Sequence, residues 1–122
     1  MKSLTITLIL LVLMLLGIGI NHFHVNKTAD ALLDRLNDLP DVGEEGCADG
    51  VRKFCEDWER TMGTVEFSTG LTVVDRISEQ AATLLACAEC EDLYGYRTAL
   101  ALLRDAIEDM RLTEELSLRA LL

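Results

Sequence analysis

Charge is missing from the start of this sequence: between Ser3 and Asn21 there is no ionisable side chain. Proline occurs once, at Pro40, so nothing of that kind interrupts a helix before it. Basic residues are also few, 11 Lys and Arg against 21 Asp and Glu, for a net charge of −10. From Thr28 onward the count is nine against twenty-one, a formal −12. Such a field repels anionic lipid and nucleic acid, which excludes nucleic acid as a partner. No segment alternates with period two for long enough to form a strand, and no internal repeat is visible. A D-x-D-x-D-G calcium loop is absent, as is any catalytic or cofactor motif.

What fills the uncharged stretch is the run LTITLILLVLMLLGIGI, Leu4 to Ile20. At a rise of ~1.5 Å per residue, ~18 apolar residues make a rod of about 27 Å, close to the ~30 Å hydrocarbon core of a bilayer. No later run is long enough for a second crossing. Two other readings compete. A secretory signal peptide has a shorter apolar region and ends at small residues, a pattern that Gly17 and Gly19 imitate weakly. A buried core helix is the third. The continuation of the helix beyond Asn21 favours an uncleaved anchor. Residues 1–21 are therefore expected to be an N-terminal transmembrane signal anchor, and 22–122 an acidic helical bundle outside the cytoplasm. The flanking charges, Lys2 before the span and Lys27 after it, are nearly balanced. The orientation, N-terminus inside, rests on the acidic residues after Asn21 and on the cysteines.

Beyond the span, Val25, Ala29, Leu32, Leu36 and Leu39 recur at spacings of three and four, a stripe that ends at Pro40. The turn D-V-G-E-E-G follows. Cys47, Val51, Phe54, Cys55, Trp58, Met62 and Val65 form a second stripe, closed by Ser68, Thr69 and Gly70. A third carries Leu71, Val74, Ile77, Ala81, Leu84, Leu85 and Ala88. The fourth opens at Glu91 and Asp92, acids suited to a helix N-terminus, and turns Tyr96, Ala99, Leu100, Leu103, Ile107 and Met110 inward. Thr113 with Glu114 and Glu115 reads as the start of another helix. The expected fold class is all-α: a transmembrane helix continuing into an up-and-down antiparallel bundle. A dimer through the half-apolar stalk is a further expectation.

These residues carry a resemblance. The opening M-K-S-L, the stalk T-A-D-A-L-L-D-R-L, the central Trp58, V-D-R-I at Val74 to Ile77 and the closing ALALLRDAIEDMRLTEELSLRALL resemble the bacterial family filed as domain of unknown function four-three-six-three. The similarity spans nearly the whole chain through packing patterns. It implies a single-pass, helical, extracytoplasmic protein and carries over no site residue. Family members place polar residues before an I-D-x-I segment, where this chain has Leu71 and Val73.

Four cysteines remain to be placed. Cys87-Ala88-Glu89-Cys90 is a C-x-x-C, but redox catalysis wants it at a helix N-terminus, whereas here it ends a helix beside Glu89 and Glu91. Structural zinc sites usually pair two close knuckles, and Cys47 and Cys55 are too far apart to form the second. Disulfides are the third reading. With helices two and three antiparallel about Ser68 and Thr69, Cys47 is level with Cys90 and Cys55 nearly so with Cys87, so nested pairs fit better than crossed ones. The outer link, closing a loop of ~44 residues, could contribute about 4 kcal/mol. Free buried thiols are the fourth.

His22 and His24 point ~200° apart on a helix and are expected at the membrane interface rather than on a metal. Trp58 reads as a core anchor, and the carboxylates as solvated faces. No cofactor is expected. The functional expectation is a non-enzymatic, membrane-anchored module, structural or accessory, with membrane lipid and a membrane-protein partner or a second copy as its contacts. The alternative is a cysteine-based zinc or thiol-redox module.

Overall fold

The computed structural model describes the backbone of residues 1–121 and the side chains of all of these except 65–69, 117, 118 and 121. Among the described residues there are four helices: α1 (Lys2–Asn37), α2 (Cys47–Thr69), α3 (Leu71–Glu89) and α4 (Leu93–Leu121). Helix α1 is one uninterrupted rod of 36 residues with two unlike halves. Its first half is long and apolar enough to cross a membrane, and none of that apolar window is buried against the rest of the protein. This removes the buried-core reading. The second half joins the bundle through Val25, Ala29, Leu32 and Leu36, all buried.

The helices run alternately up and down, ordered α1, α4, α3, α2 around the core. The seam between α1 and α2 is the thinnest. Each of the four expected stripes is the core face: Val51, Phe54 and Trp58 from α2, Val74, Ile77, Ala81, Leu84 and Ala88 from α3, Tyr96, Ala99, Leu103, Ile107 and Met110 from α4. Val65 lies outside the described side chains. Leu71, expected inside, is exposed, because the α2–α3 turn carries it past the end of the core.

The connections follow from local chemistry. A single residue, Gly70 at φ 89° and ψ 153°, reverses the chain between α2 and α3, a backbone region that favours glycine. The α3–α4 turn is a Schellman closure: the Asp92 amide donates to Cys87 O at 3.0 Å and the Glu91 amide to Ala88 O at 3.4 Å. Asp92 then caps α4, its Oδ1 accepting from the Gly95 amide at 3.0 Å. The left-handed position of that closure is held by Glu91, at φ 54°. A side chain there costs roughly 1 kcal/mol, and its charge opposes the α3 dipole. Glu91→Gly is therefore expected to raise stability by about 0.5–1 kcal/mol, read as a higher denaturant midpoint at unchanged slope.

No new helix begins at Thr113. Helix α4 runs unbroken to Leu121, since no glycine or proline follows Gly95 in it and Glu114 is turned inward against α1, 5% exposed. This buried carboxylate was not expected.

Candidate functional site

Polar contacts divide the bundle into two ends. At the end away from the apolar helix, the α1–α2 loop, the α3–α4 turn and the start of α4 meet. The Tyr96 hydroxyl donates to Pro40 O at 2.9 Å, fastening the loop to α4. Burial, then a hydrogen bond with Cys47, push the Tyr96 pKa up, so this hydroxyl keeps its proton. Beside it Arg97 donates to Asp41 at 2.9 Å. That bond and the Val42 amide hold the Asp41 carboxyl below its ordinary range, so the pair persists at pH values where an ordinary carboxylate protonates. Asp41, Glu44, Glu45, Asp49, Glu91 and Asp92 make this tip acidic. Between the end of α1 and the start of α2 lies an open groove of about 380 Å³, bordered by Arg35, Leu39, Pro40, Gly50, Lys53 and Phe54.

The other end carries the junction with the apolar helix. Asn21 donates to Glu114 Oε1 at 3.2 Å, His24 Nε2 meets Thr64 Oγ1 at 2.9 Å, and His22 Nε2 meets Asn26 at 3.0 Å. The two histidines diverge, as their spacing requires, and both bond within the bundle. Arg111 pairs with Asp30 across the α1–α4 seam. Among the described residues, His22 Nδ1 and Arg111 Nε are buried without a hydrogen-bond partner.

The cysteines are all free thiols: Cys47 buried, Cys55 and Cys87 half-buried, Cys90 exposed. The nested pairs Cys47–Cys90 and Cys55–Cys87 are not formed. The heights agree with that pairing, since Arg52 of α2 reaches Glu89 of α3 at 3.1 Å. The directions do not. Cys55 points at α3, its thiol donating to Ala81 O at 3.4 Å, whereas the Cys87 sulfur turns to α4, in the space a Cβ on Gly95 would need. Among the described residues no group of three or more His, Cys, Asp or Glu side chains is placed to hold a metal ion.

Burial raises the thiol pKa of Cys55, with Glu59 and Glu56 adding to the effect. Burial and then Asp92 and Cys90 do the same at Cys87. These are the surroundings of slow thiols. Maleimide labelling of the folded, unreduced protein at pH 7 should proceed at Cys90 first, at Cys55 and Cys87 slowly, and at Cys47 only on unfolding. Fewer than four labelled thiols after denaturation without reductant would reinstate a disulfide.

Trp58 is a core residue, 2% exposed, its Nε1 donating to Ser78 Oγ at 2.9 Å. The largest apolar side chains on the outer face near the tip are Leu93, Tyr94 and Leu102 of α4, with Tyr94 83% exposed. Nothing in the sequence periodicity singled them out, because they sit off the core stripe. No family model, no curated protein and no solved structure matches the chain.

Proposed function

We propose that this chain is a membrane-tethered, non-enzymatic helical module, anchored by the first half of α1 with its bundle outside the cytoplasm, that supports another envelope protein. The observation that carries the reading is the division of α1. One continuous helix leaves its apolar half uncovered and gives its amphipathic half to the bundle, so the uncovered half needs an apolar medium and the bundle moves with it as one body. The support for the outward orientation is that every acidic residue lies after Asn21, since the flanking Lys2 and Lys27 nearly balance. The zinc or redox alternative draws no support from Cys55 and Cys87, whose sulfurs turn to different helices.

The support for a partner is the exposed face around Tyr94. A largely exposed tyrosine with Leu93 and Leu102 near it on α4 is the composition of an interface anchor. Purification from gently solubilised membranes should recover a defined membrane protein or a homodimer. Tyr94→Ala should weaken that association by about 1–2 kcal/mol, roughly ten-fold in affinity, while leaving the melting temperature unchanged. A monomeric, partnerless protein, or an association indifferent to Tyr94→Ala, would count against the reading.

A further inference from the structure

The register of the bundle against α1 fixes where its near end lies. Asn21 meets Glu114, and α4 continues to Leu121, antiparallel to α1, so its last seven residues rise about 10 Å beyond the level of Asn21. His24 meets Thr64, and the chain climbs about 9 Å more before reversing at Gly70. By that register the α2–α3 turn reaches the level of about Ile18 and the end of α4 that of about Met14, so both overlap the end of the apolar run, and between Met1 and Ile20 only Ile18 loses part of its exposure.

We infer that the near end of the bundle is seated in the headgroup layer of the bilayer that holds α1, with lipid as the occupant of its exposed apolar rim. This rests on the anchor reading above. If Leu4 to Ile20 fills the hydrocarbon, a rim overlapping Ile18 cannot stand clear of the headgroups, which occupy roughly 5–7 Å on each side. The rim fits that layer. Phe23, Leu71 and Leu116 are 66%, 58% and 54% exposed, one from each of three helices. Beside Leu116, Glu115 and Arg119 bond at 3.0 Å, and Glu114 is turned inward to Asn21. The cluster Asp41, Glu44, Glu45, Asp49, Glu91 and Asp92 lies at the opposite tip, where lipid repulsion is weakest. Seating depths of about 5–10 Å are usual for amphipathic helices at such surfaces.

Tryptophan quenching by brominated phosphatidylcholine vesicles tests this on the full chain. Trp58 lies about 15 Å beyond Ile20 along the bundle and supplies a constant background. Ile9→Trp reports the span, Leu71→Trp and Leu116→Trp the rim, and Tyr94→Trp the tip. Shallow bromines should quench Leu71→Trp and Leu116→Trp to the extent that they quench Phe23→Trp, with Tyr94→Trp unaffected and Ile9→Trp quenched by deep bromines. If Ile9→Trp is quenched while both rim variants behave like Tyr94→Trp, the bundle stands clear and only the seating is overturned. Quenching at one rim position alone overturns seating of the whole rim. An unquenched Ile9→Trp removes the anchor and the seating together.

Discussion

Trp58→Ala is expected to destabilise the bundle by about 3–5 kcal/mol, the range for emptying a large aromatic site in a packed core. Two terms add. The indole is 2% exposed, so its removal leaves a cavity at mid-height of α2, where Phe54, Ile77 and Leu84 are also fully buried. Its Nε1 also donates to Ser78 Oγ at 2.9 Å, and Ser78 in turn faces the Met62 sulfur at 3.9 Å. Losing the indole leaves that hydroxyl without its strongest partner. Small domains are stable by only about 5–15 kcal/mol, so the loss is about a fifth of the total or more. Denaturant titration of the full chain in mild detergent, followed by circular dichroism, measures it. Trp58→Phe, which keeps most of the volume and loses the hydrogen bond, should fall between the two. A loss below ~1 kcal/mol for Trp58→Ala would mean that the α2–α3 seam is not the centre of the core.

The contrast between what could and could not be read from the sequence follows from what each inference needs. Period-3.6 spacing is a property of one helix. The buried set Val25, Ala29, Leu32, Leu36 and most of its counterparts on α2, α3 and α4 were therefore legible, with exposed Leu71 and buried Ala106 the exceptions. Heights across an antiparallel pair were legible too, because rise per residue is fixed: Trp58 does sit opposite Ser78. Directions were not. Cys55 and Cys87 lie on neighbouring helices at compatible heights, yet each residue step turns a side chain by about 100°, and that sends the two sulfurs to different seams. Glu114 shows the same limit. Its burial depends on Asn21 standing across the α1–α4 seam, a pairing between residues 93 apart in the chain that no local pattern contains. The partners of His22 and His24, Asn26 one turn along α1 and Thr64 of α2, were not legible either, because the H-x-H spacing fixes only that the two side chains diverge. At Thr113 a capping pattern was present but idle, since a Thr followed by acids starts a helix only where the preceding residues have stopped one.

The division of α1 yields the second large effect. Leu11→Arg with Met14→Arg places two charges near the centre of the apolar half, each costing about 2.5–3.5 kcal/mol at mid-bilayer. Against a window of mean hydropathy 2.6 one arginine could be tolerated by reaching toward the surface, whereas two on neighbouring turns cannot both do so at low cost. The doubly substituted chain should leave the membrane pellet for the soluble fraction after alkaline extraction, a shift of at least roughly hundred-fold in partition. Its melting temperature in detergent should not move, because no side chain from Lys2 to Ile20 is part of the core. The pairing of these two results separates the competing readings of the apolar run. A core helix would lose stability along with apolar character. A cleaved signal segment would leave a mature chain whose mass lacks these residues and whose fractionation ignores the substitutions. Loss of membrane retention at constant stability is the outcome that only an anchor, mechanically continuous with the bundle yet energetically separate from it, produces.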